Sequence, residues 1–231
     1  MAEHSKEKLV YGVFQNISEG YDSANRRISL GLQDSWKKML IDRIAKDIPR
    51  GENVLDVCCG TGDVTWKIAS RRHDLKVTGL DFSPAMLDVA RRRRSRRNIR
   101  FTQGNAMKLP YPDNSFGAAC ISFGLRNTAD YGRVLSEMRR VVKPGGYIYC
   151  LDSFVPDSRF VQPFYRLYFR CIMPLIGGGR KHRREYMWLY KSTEIFLHRR
   201  DLELLFAETG LHDISHRSRM CGACVLVAGQ K

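Results

Sequence analysis

The sequence lacks any uncharged stretch approaching the roughly 18 apolar residues that a transmembrane helix needs. Its N-terminal residues, MAEHSK, are polar and contain no apolar core of the kind that signal peptides carry. Internal repeats and linkers rich in Gly, Ser or Pro are also missing. These absences argue against transmembrane, collagen-like and coiled-coil classes, and they predict a globular protein located in the cytoplasm.

Acidic residues are scarce relative to basic ones, with 24 Asp and Glu against 39 Lys and Arg and a net charge of +15. A surface of this sign attracts nucleic acid, acidic lipid or an anionic ligand, but it says nothing about fold. The chain has 231 residues, 43% of them hydrophobic, which is enough for one large core. Its seven cysteines are an odd number, which indicates reduced thiols in a cytoplasmic protein.

Secondary-structure patterns predict an α/β protein. Residues 1–50 show helical spacing of apolar positions, which include Leu30, Leu32 and Trp36. Short apolar runs then alternate with helical stretches, and this alternation indicates a parallel sheet with helices on both faces. The last two strands are predicted to form an antiparallel pair at the sheet edge. The predicted strands cover residues 54–58, 75–80, 99–103, 117–123, 147–151, 213–219 and 223–228.

A glycine-containing turn, residues 55–63, lies between the first predicted strand and a helix. Glycines there allow a ligand to approach the backbone, and a helix N-terminus favours polar or anionic groups. Asp81 follows Gly62 by 19 residues, where an acid can accept both ribose hydroxyls of an adenosine cofactor. The third glycine of the dinucleotide fingerprint is replaced by Thr65, which argues against a nicotinamide cofactor. The alternative is an ordinary tight turn with a surface aspartate.

Several segments resemble known families. Residues 54–62 are similar to motif I of class I methyltransferases that use S-adenosylmethionine, and residues 104–116 are similar to their third cofactor segment. The string Ser-Phe-Gly-Leu-Arg-Asn at residues 122–127 resembles the ubiquinone/menaquinone biosynthesis C-methyltransferase family. This likeness extends from about residue 9 to the C-terminus. The Cys58–Cys59 pair and residues 137–142 look most like the menaquinone branch.

The resemblance implies a Rossmann-like, seven-stranded, mostly parallel sheet with an antiparallel last strand, a helical N-terminal segment and a helical lid. It predicts one methyltransferase domain over residues 1–231. Within it, residues 1–50 would be a helical cap, 51–152 the cofactor-binding half, 153–200 the lid and acceptor insertion, and 201–231 the closing helix and strands.

The cofactor implied by the resemblance is S-adenosylmethionine, with S-adenosylhomocysteine as its product. Asp81 would hold the ribose, Asn105 and Ala106 would lie beside the adenine, and Ser122 would sit next to the sulfonium. Thr61 and the glycines would face the methionine part. The complete predicted set is Asp56, Gly60, Thr61, Gly62, Asp81, Phe82, Asn105, Ala106 and Ser122.

The implied reaction is methyl transfer to a ring carbon of a prenylated 1,4-naphthoquinol, without a metal. Arg126 is predicted to stabilise a phenolate oxygen, although a surface arginine is the alternative. Tyr21, Asp22 and Asn25 would close over the acceptor, or would merely cap and pack their helix. Asp152 is a candidate general base, and it could equally be an ion-pair partner.

Residues 160–176 are rich in aromatic and aliphatic side chains, with Arg166 and Arg170 interspersed, and a basic run follows at 180–184. This pattern predicts a lid that receives the isoprenoid tail and contacts an anionic membrane surface. A core-packing helix or a homodimer contact is the alternative. The arginine-rich run at residues 91–97 is interpreted as a solvated face.

Three other functions remain open at this stage. An RNA methyltransferase would carry a Pro-Pro-aromatic motif or a catalytic cysteine after the fourth strand, but residues 123–126 read Phe-Gly-Leu-Arg, so no nucleic-acid partner is expected. A methyltransferase for another small acceptor, such as a benzoquinol, is the closest alternative. A non-catalytic cofactor-fold subunit is the third. Cys221 and Cys224 have redox-motif spacing but are interpreted as structural.

Overall fold

The computed structural model describes residues 2–172 and 183–231. Over these residues the strands form a single seven-stranded sheet. The strands are β1 (Asn53–Val57), β2 (Lys76–Asp81), β3 (Ile99–Gln103), β4 (Phe116–Ser122), β5 (Val142–Ser153), β6 (His212–Arg219) and β7 (Cys224–Gln230).

The order of strands across the sheet is β3-β2-β1-β4-β5-β7-β6. Strands β1 to β5 pair in parallel, whereas β7 is antiparallel to both of its neighbours, β5 and β6. The predicted α/β class and the antiparallel closing pair are therefore confirmed. Strand order reverses between β1 and β4, and ligands of open α/β sheets bind in the crevice at the carboxyl ends of such strands.

Helices cover both faces of this sheet, as the alternating pattern predicts. The helix after β2 begins as the sequence indicates, because Ser83 accepts a hydrogen bond from the Met86 backbone N–H and Pro84 occupies the first turn. The helices are α1 (Ala2–Ile17), α2 (Tyr21–Ile28), α3 (Leu32–Asp47), α4 (Asp63–Arg71), α5 (Pro84–Arg93), α6 (Tyr131–Val141), α7 (Gln162–Leu167), α8 (Arg183–Glu194) and α9 (Arg199–Glu208).

The core consists of two apolar layers, one on each face of the sheet. Helices α3 and α4 pack on one face, and α6 and α9 pack on the other. Neighbouring residues of β1 illustrate the alternation, since Val54 belongs to the first layer and Leu55 to the second, both fully buried. Smaller clusters join α1 to α5 and α2 to α8. The N-terminal helices and α8 thus pack around the carboxyl ends of the strands.

The apolar helical stripe predicted for the N-terminal segment is wrong at its first two positions, Leu30 and Leu32. Leu30 has a left-handed φ of 50° and lies outside any helix, with 73% of its surface exposed. Helix α3 begins at Leu32, which is also exposed, while Met39, Leu40 and Ile44 are buried as expected. The connection turns sharply there because Gly31 also has a positive φ, so the two leucines leave the apolar stripe.

The predicted lid is only partly within the described residues. Helix α7 is short and continues into a π-helical turn, Tyr168–Ile172. Tyr165 is buried, whereas Phe160 and Phe164 are exposed. The remaining part of the predicted lid, residues 173–182, lies outside the described residues. None of the helices in the described residues has the length and the apolar character that a membrane span requires.

Gly62 illustrates how closely the glycine turn packs. A Cβ at this position would lie 2.7 Å from the Phe101 ring and 3.1 Å from Ala90 Cβ, and its φ is +76°. We expect Gly62→Ala to lower the free energy of unfolding by about 2–4 kcal/mol, from crowding and backbone strain together. Urea denaturation measures this loss.

Gly51 provides the matched control, because its φ is +78° but its Cβ would meet nothing within 4 Å. Gly51→Ala therefore isolates backbone strain and should cost about 1–2 kcal/mol. Equal losses for the two variants would contradict the packing role of Gly62.

Candidate functional site

A cavity of about 710 Å³ opens at the carboxyl ends of β1, β2 and β4. The N-terminal helices and α7 provide its opposite wall. It brings together most of the residues that the sequence nominated for cofactor and acceptor, although these lie far apart in the chain. Gly62 and Asp152 do not line it. The nominated residues that do are Tyr21, Asp22, Asn25, Asp56, Gly60, Thr61, Asp81, Phe82, Asn105, Ala106, Ser122 and Arg126.

Asp81 organises the glycine turn. One carboxylate oxygen accepts a hydrogen bond from the Gly60 backbone N–H at 2.8 Å, and the other accepts one from the Ser83 N–H at 2.9 Å. Burial raises the pKa of Asp81 to about 6, and these backbone hydrogen bonds hold it from rising further. A carboxylate has about four acceptor sites, so Asp81 can still accept a hydrogen bond from a ligand hydroxyl.

Asp56 lies below the turn at the end of β1. Its carboxylate accepts a hydrogen bond from the Thr65 hydroxyl at 2.6 Å and faces the Cys120 thiol. Burial raises the pKa of Asp56 to about 7, with the Thr65 and Cys120 contacts acting in the opposite direction. Asp56 therefore connects strand β1 to the first turn of α4 and reaches the cavity floor.

The cavity wall beyond Asp81 is suited to a flat, partly polar ligand. Phe82 makes an edge-to-face contact with Tyr11 of α1, with ring centroids 5.6 Å apart. Ala106 is buried, and the Asn105 side chain is exposed and accepts a hydrogen bond from the Met107 N–H. These residues give this wall an aromatic ring and an amide group, against which a flat polar ring can pack.

Ser122 ends β4 and lines the cavity. Its hydroxyl oxygen is buried and has no hydrogen-bond partner among the residues that the structure describes. Buried hydroxyls normally have a partner, and an unpaired one directed into a cavity is a polar contact for a ligand. A cofactor with polar groups along its length therefore fits the line from Asp81 to Ser122.

Arg126 and Asp152 form a buried ion pair beside the cavity. Arg126 Nη1 donates to Asp152 Oδ1, and Asp152 is fully buried at the end of β5. The same carboxylate accepts a hydrogen bond from the Ser153 N–H at 2.8 Å. Arg126 Nε is buried without a hydrogen-bond partner among the described residues, and the guanidinium lies 5.8 Å from the Phe123 ring centroid. One N–H of a fixed guanidinium is thus without a partner among the described residues, beside a mostly apolar cavity.

Helix α2 places polar side chains opposite Arg126. Burial raises the pKa of Tyr21, and the positive charge of Arg126 and a hydrogen bond with Asn25 partly offset that increase. Tyr21 therefore stays a neutral hydrogen-bond donor near physiological pH. These two side chains and Arg126 approach the cavity from different elements and can contact the same bound molecule.

The loop after β4 is strained where it meets the glycine turn. Phe123 and Cys58 have left-handed φ values of 56° and 55°, which is uncommon for residues other than glycine. A Cβ on Gly124 would lie 2.7 Å from Cys58 Cβ, so the two loops are in direct contact. Strained loops of this kind concentrate at functional sites, where surrounding structure holds them in place.

Asn127 and Lys37 are among the cavity residues that were not predicted from the sequence. Asn127 lines the cavity and accepts a hydrogen bond from the Trp188 indole N–H of α8 at 3.2 Å. Lys37 is a buried lysine of α3 that also lines the cavity. The sequence does contain a signal for Lys37, because Gln33 and Lys37 occupy the same face of α3 as the apolar residues Leu40 and Ile44. A charged residue on such a face indicates a site.

The model of the ubiE/COQ5 methyltransferase family matches residues 2–231. The chain belongs to this family. It is 43% identical over 232 residues to a demethylmenaquinone methyltransferase of Shouchella clausii, covering 98% of both chains. It is 41% identical over 230 residues to the demethylmenaquinone methyltransferase of Bacillus licheniformis, again covering 98% of both. The family resemblance predicted from residues 122–127 is confirmed.

Solved structures support the fold of this family member. A SAM-dependent methyltransferase from Thermotoga maritima superposes with a TM-score of 0.67 at 19% identity, over 96% of this chain and 99% of the other. At that identity the likeness shows the fold alone. Among residues 2–172 and 183–231, no three His, Cys, Asp or Glu side chains are grouped so as to hold a metal ion.

Proposed function

We propose that this methyltransferase transfers a methyl group from S-adenosylmethionine to a ring carbon of a reduced, prenylated naphthoquinol, converting a demethylmenaquinol into a menaquinol. The observation that most strongly supports this proposal is a single, mostly apolar cavity. The Asp81 turn, Ser122 and the buried guanidinium of Arg126 all line it. The names of the relatives that match over nearly the whole chain support the same acceptor.

The residues present fit this cofactor. Asp81 would accept the ribose hydroxyls, Phe82, Asn105 and Ala106 would hold the adenine, and the free hydroxyl of Ser122 would lie near the sulfur. When bound, S-adenosylmethionine supplies an electrophilic methyl group on a sulfonium. The protein's contribution is to align that group with the acceptor carbon in an apolar chamber from which water is displaced.

The acceptor must be the reduced quinol, because loss of a hydroxyl proton directs electron density onto the adjacent ring carbon. That carbon forms the new C–C bond as the carbon–sulfur bond breaks, and the ring then loses its proton to restore aromaticity. Overall one proton is released and the cofactor becomes a neutral thioether. Arg126 would stabilise the phenolate oxygen through its unpaired Nε–H and its positive charge.

The ion pair favours a positioning role for Asp152. Its carboxylate is fully buried and already contacts Arg126 and the Ser153 N–H, so it holds the guanidinium in a fixed orientation. Tyr21 and Asn25 would hydrogen-bond the quinol oxygens from the opposite wall. The phenolic proton would leave through these polar groups or through a water beside them.

An anaerobic turnover assay tests the proposal. The enzyme is incubated with S-adenosylmethionine and chemically reduced short-chain demethylmenaquinol, and products are measured by mass spectrometry. We expect a product heavier by one methyl group, formed from the reduced acceptor and not from the oxidised quinone. Turnover of a reduced benzoquinol at an equal rate would contradict the naphthoquinol assignment.

Affinity for the cofactor product should depend on pH through Asp81. Its pKa is about 6, so the carboxylate that accepts ribose hydroxyls is lost as pH falls below that value. About one tenth of the molecules remain ionised at pH 5, and S-adenosylhomocysteine should bind about tenfold more weakly there than at pH 7.5. Isothermal titration calorimetry across this range measures the change.

Asp56 titrates nearby, with a pKa of about 7, so the same titration is repeated with Asp56→Asn. The decrease centred near pH 6 should remain in that variant. A pH-independent affinity between pH 5 and 7.5 would contradict the assignment of Asp81 to the ribose.

The prenyl tail and its membrane are part of the same proposal. Leu30, Leu32, Phe164 and Met220 line the cavity and are also exposed, so the apolar lining continues to the surface. The lid segment of the sequence is basic, with Arg166 and Arg170 among its apolar residues. We expect the predicted cap, residues 1–50, and lid, 153–200, to place the opening on an anionic bilayer, where the tail stays in lipid.

Vesicle co-sedimentation tests this part. Binding to phosphatidylglycerol vesicles should exceed binding to phosphatidylcholine vesicles, and Leu30→Ser/Phe164→Ser should reduce it several-fold. Leu204→Ser is the matched control, since Leu204 is 61% exposed on α9 but does not line the cavity. Homodimerisation through the same opening, without vesicle binding, would contradict membrane contact.

A further inference from the structure

Two opposite charges from the N-terminal helices meet the glycine turn at one end of the cavity. Asp22 of α2 accepts a hydrogen bond from the Thr61 hydroxyl at 2.6 Å. Lys37 of α3 donates to Asp63, the first residue of α4, at 2.9 Å. Both side chains line the cavity, and Lys37 is only 8% exposed. The reaction described above uses neither of them.

A third residue, Arg94, holds these two charges in place. Its guanidinium lies 3.3 Å from Asp22 Oδ2 and 3.5 Å from Asp63 Oδ1. The chain of charges therefore runs from Asp22 through Arg94 and Asp63 to Lys37. Because Arg94 packs over the Trp66 ring at 5.7 Å, the arrangement is braced by a side chain outside the cavity.

Among the described residues Lys37 has one ion-pair partner, Asp63, and shares it with two cations that each have a second carboxylate, Asp34 for Lys67 and Asp22 for Arg94. Asp63 contacts Lys37 and Lys67 at 2.9 Å each, as well as Arg94. An ammonium has three N–H donors, and burying it is costly unless anions or acceptors surround it. The structure gives the Lys37 ammonium a hydrogen bond to Asp63, so it can bind a further anion from the cavity side.

We propose that Lys37 and Asp22 bind the two charged groups of the cofactor's methionine part, Lys37 its carboxylate and Asp22 its ammonium. This inference rests on the proposed function and deepens it. With the ribose at Asp81 and the sulfur at Ser122, the amino-acid part extends towards Thr61, where these charges lie. An amino acid is a zwitterion, and a fixed pair of opposite charges selects for it over a neutral ligand.

Two ligands that differ only in the carboxylate test the role of Lys37. S-adenosylmethionine and decarboxylated S-adenosylmethionine are titrated into the enzyme by calorimetry without acceptor. The wild-type protein should bind the first about 10- to 100-fold more tightly. Lys37→Met should remove this preference by weakening S-adenosylmethionine alone. Asp22→Asn should weaken both ligands alike, because both carry the ammonium.

Lys67→Met is the matched control, because Lys67 contacts the same Asp63 oxygen at the same distance but does not line the cavity. It should leave both affinities within about twofold of wild type. The inference is overturned if Lys37→Met weakens both ligands equally, or if Lys67→Met reproduces its effect.

The wild-type titration decides the matter even if Lys37→Met does not fold. Equal affinity for the two ligands, in a protein that still transfers methyl groups, would overturn the inference and leave the proposed function intact. Binding of neither ligand would instead contradict the proposed function itself. A preference of at least tenfold for S-adenosylmethionine, lost in Lys37→Gln, supports both.

Discussion

Replacing Arg126 by Met is expected to lower kcat for methyl transfer by about 100- to 1000-fold, the effect of removing one group that stabilises a developing oxyanion. Affinity for S-adenosylhomocysteine should stay within about twofold, because the proposed function assigns Arg126 to the acceptor and not to the cofactor. Anaerobic turnover under saturating quinol measures the first quantity, and calorimetry measures the second.

The same change should also destabilise the protein, because it leaves Asp152 buried and unpaired. We expect Arg126→Met to cost about 3–5 kcal/mol of folding free energy, and Arg126→Met/Asp152→Leu to recover most of it. Comparing the single and double variants separates the effect of Arg126 on stability from its effect on activity. The double variant should be well folded and still inactive. Recovery of turnover in the double variant would contradict the role of Arg126 in stabilising the phenolate.

Replacing Asp81 by Ala should weaken S-adenosylhomocysteine binding by about 100-fold or more. Two hydrogen bonds from ribose to a charged group are lost, each contributing about 1.5–3 kcal/mol. The Gly60 and Ser83 N–H groups also lose their acceptor, so the glycine turn is no longer held in its binding conformation. Calorimetry with S-adenosylhomocysteine measures the loss, and the pH dependence near 6 should vanish with it.

Asp88→Ala is the matched control for this variant. Asp88 lies on α5, the helix that follows Asp81, but it is exposed. Among the salt bridges of the described residues it pairs only with Arg91, one turn later on the same helix. Its removal should leave cofactor affinity unchanged. If Asp81→Ala binds S-adenosylhomocysteine as tightly as the wild-type protein does, the proposed contact between Asp81 and the ribose is contradicted.

The sheet could be predicted because its signals are local. Strand β3 has the predicted bounds, Ile99–Gln103, and Ser83 caps α5 as its sequence indicates, since apolar runs and capping residues act within a few positions. Leu30 was placed wrongly for the opposite reason. The left-handed backbone at Leu30 and Gly31 removes it from the helix, and apolar spacing alone does not reveal a backbone turn.

The cofactor side of the site was easier to predict than the acceptor side. The glycine turn and Asp81 follow one another in a fixed strand-turn-helix-strand order, so the sequence contains their arrangement. The pairing of Arg126 with Asp152 depends on the register between β4 and β5. The meeting of Lys37 and Asp22 with the turn depends on how the N-terminal helices pack. Neither relation is local in the chain.

The central claim is carbon methylation of a reduced naphthoquinol in this cavity. It is tested most directly by anaerobic turnover with S-adenosylmethionine carrying a ¹³C-labelled methyl group, followed by NMR of the extracted product. We expect a labelled methyl signal at the chemical shift of an aromatic C–CH₃ group. This signal should be absent when the Arg126→Met variant is used. A labelled methoxy signal, or label found only on protein or water-soluble compounds, would contradict the central claim.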